Sequence, residues 1–208
     1  MTDGARRYDD LAQDYSDRTY ADARRTYARR LQLVCDLGTP LVPFDRVLDL
    51  GCGDASFAPW VLEAGLEYTG VDASRGMVEV ASALVGDNRV ELGDFATYRP
   101  PAAVAAAICF GAVKYVDDLA AFFSRVAEYT TKKIVFDVLP REQSLAEFRR
   151  AAVGAGFQAF EARPFFVPQS RRLSRPAAAA LQVAERIRPV ADRILRARFT
   201  VVCAASKR

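Results

Sequence analysis

Short apolar runs recur along the chain, and each gives way to a stretch whose apolar residues return every three or four positions. The runs are RVLDL (46–50), EYTGVD (67–72), RVELGD (89–94), VAAAICF (104–110) and KIVFDVL (133–139). Helical spacing falls between them, over residues 56–64, 74–84, 117–129 and 142–153. FQAFEARPFF (157–166) and ARFTVVCAAS (197–206) read as two further strands. Strands that alternate with helices predict an α/β fold built on a mostly parallel sheet. Their near-continuous hydrophobicity suits burial on both faces, so helices are expected on both sides. The boundary residues agree with this reading. Ser74 and the Asp117–Asp118 pair suit helix starts, where a side-chain oxygen or negative charge meets unpaired N–H groups. Gly154 and Gly156 end the helix that begins near Glu142.

Two segments stand outside the alternation. Residues 5–37 form a charged helical lead-in, where Tyr8, Tyr15, Tyr20 and Tyr27 recur about every seven residues, as a packing stripe does. Residues 168–197 separate the last two strands. There Leu181, Ala184, Ile187, Val190, Ala191, Ile194 and Leu195 keep helical spacing, Pro176 suits a helix start and Pro189 a kink. The chain reads as one domain over 1–208, with an N-terminal helical cover (1–37) and a helical insertion (168–197).

Composition narrows the chemistry. At 51% hydrophobic and 26% charged residues, the 208 residues suit a packed core rather than a disordered chain. No apolar run approaches the ~20 residues that span a bilayer. The polar N-terminus is unlike a secretory leader, so a cytoplasmic location is expected. Histidine is absent, which excludes Ser-His-Asp and Cys-His catalysis. Cys35, Cys52, Cys109 and Cys203 are scattered, so reduced thiols and no metal site are expected. All but four of the 29 basic residues are arginine, and with the abundant alanine this suggests a GC-rich bacterial genome. The net charge of +3 is uneven: residues 171–198 hold eight arginines against Glu185 and Asp192, and the rest of the chain is net negative. A whole-surface nucleic-acid contact is therefore not expected.

VLDLGCGDASF (47–57) carries the main chemical signal. An acid, Asp49, sits at the end of the first strand, and Gly51, Gly53 and Ala55 then clear the turn into the first helix. In a parallel sheet, ligands bind beyond the carboxyl ends of the strands, near the point where strand order reverses. Small residues there let backbone N–H groups and a helix terminus meet a ligand. A plain tight turn would look the same in isolation. However, the second strand ends in Asp72, about twenty residues on, where a carboxylate can accept both hydroxyls of a ribose. The third ends in Asp94, followed by Phe95, beside the place for a base. Asp72 could alternatively cap its helix. A nicotinamide dinucleotide fits less well, because Ser56 stands where the third glycine of Gly-x-Gly-x-x-Gly would be and Pro59 follows.

VLDLGCGDASF, YTGVDASRGMVEVA, VELGDFATY and AICFGAVKYVDDL occur in the order and spacing of class I S-adenosylmethionine-dependent methyltransferases, which this chain resembles over roughly 8–166 and 198–206. The resemblance implies a Rossmann-like, seven-stranded sheet whose last strand is antiparallel. It also implies S-adenosylmethionine as cofactor. Asp49, Gly51 and Gly53 would surround the methionine part and Asp72 would hold the ribose. Ala73 and Met77 would pack on the adenine, Asp94 would accept from its amino group, and the Phe95 amide would donate to the ring. Phe110 would place its backbone near the methionine amine, while Tyr15 and Arg18 would close over the cofactor. Two departures are Ala55, where many members carry a third glycine, and VKYVDD (113–118), where histidines are common.

The expected activity is methyl transfer by direct displacement to the nitrogen or oxygen of a small-molecule acceptor, in keeping with bacterial secondary metabolism. A cofactor-binding protein without turnover, or a nicotinamide-dependent dehydrogenase, are the competing readings. Without histidine, the base candidates are Asp137, Tyr115, Lys114 and Glu142, none of them singled out. An Asn/Asp-Pro-Pro-Tyr type sequence is absent after the fourth strand, which argues against DNA-base amines as acceptors. For residues 169–199 three readings stand open: a packing helix with solvated arginines, a lid that shapes the acceptor pocket, and a basic amphipathic helix on anionic membrane. The oligomeric state is not legible.

Overall fold

The structure is a computed structural model, which describes residues 9, 12, 15, 19–165, 174–187 and 200–207. The strands are β1 (Arg46–Leu50), β2 (Glu67–Asp72), β3 (Val90–Leu92), β4 (Val104–Cys109), β5 (Thr130–Val138), β6 (Ala159–Pro164) and β7 (Val201–Ser206). The helices are α1 (Ala23–Asp36), α2 (Ala58–Glu63), α3 (Arg75–Val85), α4 (Leu119–Tyr129), α5 (Leu145–Gly154) and α6 (Arg175–Arg186).

The strands form one seven-stranded sheet in the order β3-β2-β1-β4-β5-β7-β6. β1 pairs parallel with both β2 and β4, and β4 with β5, whereas β7 runs antiparallel to β5 and β6. The chain steps outward from β1 to β3 and then returns to the other side of β1 as β4. That reversal opens a crevice at the carboxyl ends of β1 and β4.

Alternation along the central strands divides the core into two faces. Leu48, Leu50, Ile134, Phe136 and Cys203 pack with Phe122 and Phe123 of α4 and Phe148 of α5. Val47, Val135 and Val202 point the other way, against Val34 of α1, Val61 of α2 and Ala81 of α3. By the same period-two rule, Asp49 and Asp137 fall on the α1–α3 side.

The predicted caps form. Ser74 Oγ accepts from Met77 N at 3.1 Å and Asp118 Oδ1 from Ala121 N at 2.9 Å. Pro59 lies in the first turn of α2, and Gly156 adopts φ +96° beyond α5. β5 begins at Thr130, three residues before the expected start. Thr130 and Lys133, polar in sequence, are buried there. The Lys133 ammonium donates to the carbonyls of Leu37 (2.7 Å) and Cys35 (3.3 Å), closing the C-terminal end of α1. In the insertion, α6 opens with Pro176 in its first turn and is capped by Ser174. Leu181 and Ala184 are half-buried and Ile187 is exposed. Pro189, Val190, Ala191, Ile194 and Leu195 lie outside the described residues. No helix among the described residues is long and apolar enough to cross a membrane, and none of their acidic, cysteine or histidine side chains cluster as metal ligands.

Candidate active site

The crevice holds a cavity of about 320 Å³. Its floor is the turn after β1. Gly51 and Gly53 adopt φ +76° and +57°, values that glycine takes without steric penalty. A Cβ on Gly51 would lie 2.6 Å from the Ala112 Cβ, so the turn and the β4 loop touch only because that side chain is missing. Ala55 shares the left-handed region at φ +53° and is fully buried, so the third small position keeps the glycine-like backbone despite its methyl group.

Asp72 closes the next wall. Its Oδ2 accepts from Gly53 N at 2.9 Å and its Oδ1 from Ser74 N at 2.9 Å. Both oxygens are thus aimed by backbone donors, and each retains a lone pair for the cavity it lines. Burial raises its pKa, against the pull of these N–H groups. Ala73, Met77 and Phe95 add apolar wall beside it.

Asp49 lies at the far end. It is 5% exposed, and Tyr68 Oη donates to its Oδ2 at 3.1 Å. Burial pushes its pKa up to about 7, with the Tyr68 bond and the Arg30 charge pulling it back. Arg30 of α1 forms the opposite side. Its guanidinium lies 4.7 Å from the Phe110 ring and 5.1 Å from the Tyr20 ring, and donates to Tyr20 Oη at 3.0 Å. Asp137 Oδ2 lies 3.9 Å from Arg30, while Asp137 Oδ1 accepts the Gly111 N–H at 2.7 Å.

The N-terminal segment reaches this crevice through its described residues. Asp9 Oδ1 accepts from Ser74 Oγ at 2.6 Å and Gly76 N at 3.0 Å, and Ala12 is buried. The Tyr15 ring comes within contact of the place a Gly53 Cβ would occupy, 3.7 Å away, and lines the cavity. Burial pushes the Tyr15 phenol up to about 12.

Of the residues expected from sequence, Tyr15, Asp49, Gly51, Gly53, Asp72, Ala73, Met77, Phe95 and Phe110 all line the cavity. Asp94 does not; its Oδ1 accepts from Ala96 N at 2.9 Å and caps its own turn. Arg18 lies outside the described residues. Among the base candidates only Tyr115 is in the wall, where it is 51% exposed. Lys114 lies over the Tyr115 ring at 5.0 Å, and Glu142 is exposed elsewhere. Asp137 is occupied as the partner of Gly111 and Arg30. Sequence reading missed Arg30, Tyr20 and Tyr27 as wall residues. Arg30 follows Tyr27 by three positions, hence on the same helix face, and an arginine inside an aromatic stripe was the available signal.

The donor set fits a molecule with vicinal hydroxyls at Asp72, a flat ring among Ala73, Met77 and Phe95, and a charged tail between Asp49 and Arg30. A family model described as a methyltransferase domain matches residues 47–133. No curated protein sequence matches the chain significantly. Among solved structures, an S-adenosylmethionine-dependent methyltransferase of Thermotoga maritima, described as a possible histamine N-methyltransferase, superposes with TM-score 0.65 at 18% identity. It covers 98% of this chain and 99% of the other. Phosphoethanolamine N-methyltransferase 2 of Haemonchus contortus, with S-adenosylmethionine bound, gives TM-score 0.61 at 18% identity over 86% of this chain and 52% of its own. This chain thus spans about half the length of that enzyme. A Haloferax volcanii methyltransferase, solved with its Trm112 activator, gives 0.67 at 19% identity, covering 96% of each chain. The fold is the Rossmann-like methyltransferase fold, and residues 47–133 carry a methyltransferase domain of the kind that uses S-adenosylmethionine.

Proposed function

We propose that this methyltransferase acts on a small-molecule acceptor, by direct displacement at nitrogen or oxygen. The observation that carries the proposal is the shape of the cavity mouth. Tyr15, Tyr20, Phe110 and Tyr115 bring aromatic rings to the wall of the same cavity, which suits a compact acceptor beside the cofactor rather than a folded polymer. Structural neighbours acting on phosphoethanolamine, magnesium protoporphyrin IX and geranyl diphosphate support the same class.

When bound, the cofactor supplies an electrophilic methyl group on a sulfonium. The chain's own residues then have three tasks. Asp72 holds the ribose hydroxyls, with Asp49 and the glycine turn at the amino-acid end. Tyr15 covers the crevice and keeps water out, which matters because alignment and desolvation are most of what a displacement needs from protein. Of the four base candidates Tyr115 alone lines the cavity, and it is the one that would take a proton from a hydroxyl acceptor. A neutral amine attacks without it.

Two measurements test the proposal. Mass spectrometry of the purified protein should find retained S-adenosyl cofactor. Incubation with methyl-labelled cofactor and pooled amines and phenols should then yield a labelled product. Retained cofactor without product from any pool would make the chain a binding protein that does not turn over.

A further inference from the structure

Gly70 sits inside β2 and outside the left-handed region, so its missing side chain serves space rather than backbone conformation. A Cβ placed there would lie 2.8 Å from Cys52 Sγ and 2.9 Å from Tyr68 Oη. In the register of β1 with β2, Tyr68 stands opposite Val47, and Asp49 stands opposite Gly70. The Tyr68 side chain therefore runs along β2 through the gap at Gly70, and its Oη donates to Asp49 Oδ2 at 3.1 Å. Tyr68 and Asp49 are 3% and 5% exposed. Asp49 lines the cavity, and with Oδ2 fixed by Tyr68, Oδ1 is the oxygen left to face a ligand. A buried carboxyl favours its neutral form unless a donor or a cation meets the anion. Around Asp49, the Arg30 charge of α1 favours the anion, while Asp72 of β2 and Asp54 of the turn oppose it. The Cys52 and Cys109 thiols stand on its other sides. Among the described residues, Tyr68 supplies the hydrogen bond to its carboxylate.

We propose that Tyr68 is a positioning residue for methyl transfer: lodged in the gap at Gly70, its hydroxyl keeps Asp49 charged and turned toward the cationic amine of the cofactor. The proposal rests on the methyltransferase reading of the same cavity. Tyr68 touches no ligand itself and acts only through Asp49. A phenylalanine would fill the same gap and keep the ring, but it has no proton to give to the carboxylate.

Calorimetry of Tyr68→Phe on the full chain, between pH 6 and pH 9, tests it. S-adenosylhomocysteine carries the amine; 5′-methylthioadenosine keeps the nucleoside and sulfur but lacks it. At pH 6 the variant should bind S-adenosylhomocysteine about tenfold more weakly than the wild type. Losing a hydrogen bond to the anion raises the Asp49 pKa by about one unit, and so leaves about tenfold less carboxylate. The ratio should fall toward about one at pH 9, where Asp49 is ionised in both proteins. Binding of 5′-methylthioadenosine should be alike in both at every pH. In an Asp49→Asn background, Tyr68→Phe should have no further effect on S-adenosylhomocysteine. Unchanged S-adenosylhomocysteine affinity at pH 6 overturns the proposal. A loss that is constant across pH, that extends to 5′-methylthioadenosine, or that persists in the Asp49→Asn background overturns it equally, and makes Tyr68 a support of the fold. A wild type that binds neither nucleoside would mark the methyltransferase reading as wrong, and the proposal falls with it.

Discussion

Asp72 Oδ2 accepts the Gly53 N–H at 2.9 Å, so the carboxylate at the end of β2 holds the turn at the end of β1. In the proposed site one residue would thereby serve both the ligand and the loop beneath it. Asp72→Ala is expected to lose S-adenosylmethionine affinity and to leave the Gly53 and Ser74 N–H groups without their acceptor. A buried donor without a partner costs about 1–3 kcal/mol, so the melting temperature should fall as well. Calorimetry and thermal unfolding on one preparation check both; wild-type affinity in a folded variant would remove Asp72 from the site.

Asp49 is expected to make cofactor affinity pH-dependent. Burial holds its pKa near 7 in the folded chain, above its ordinary value of 3.8. A carboxyl whose folded pKa is raised contributes stability below its unfolded pKa and loses it as pH rises through the folded value. Stability attributable to Asp49 therefore declines from about pH 4 to above pH 7, while the anion that attracts a cationic amine accumulates. Asp49→Asn should raise the melting temperature of the unliganded protein at pH 8, by about 2–4 °C per kcal/mol, and leave it unchanged near pH 4. The same variant should weaken S-adenosylmethionine and flatten the pH dependence of its binding. Equal melting temperatures for variant and wild type at pH 8 would show that Asp49 is not strained by burial.

Gly51 and Gly53 are both left-handed but not equivalent. A Cβ at Gly51 meets Ala112 at 2.6 Å, whereas at Gly53 the nearest atom is the Tyr15 ring at 3.7 Å. Gly51→Ala combines backbone strain with a clash and should destabilise the fold by about 2–4 kcal/mol. Gly53→Ala carries the strain alone, about 1–2 kcal/mol. Denaturant titration of the two variants ranks them, and the reverse order would contradict the packing.

Asp9 latches the N-terminal segment to the start of α3 through Ser74 and Gly76. Asp9→Ala should therefore speed release of S-adenosylhomocysteine in stopped-flow while circular dichroism stays unchanged, because the sheet does not depend on that contact. Removing residues 1–20 should act in the same direction and further. Loss of the circular dichroism signal in the deletion would place the segment in the core instead.

The order of strands and helices, the glycine turn, and the acids Asp49 and Asp72 at strand ends were all legible in the chain, because period and backbone sterics are local properties. Asp49 illustrates the limit. Its place at a strand end is sequence information; that it is buried under Tyr68 and beside Arg30 follows from the pairing of β1 with β2 and the packing of α1. Asp137 at the end of β5 was one of four base candidates in the sequence, and the fold brings it to Gly111 and Arg30. Asp94, grouped in sequence with the other strand-end acids, turns back on Ala96 because β3 is a short edge strand that ends before it. Lys133 marked the edge of a strand by its charge, yet α1 offers it two carbonyls and draws it inside. Local pattern sets which segments become strands and helices. Which polar groups end up facing one another depends on contacts between residues far apart in the chain, and only the assembled sheet and its helices bring those groups together.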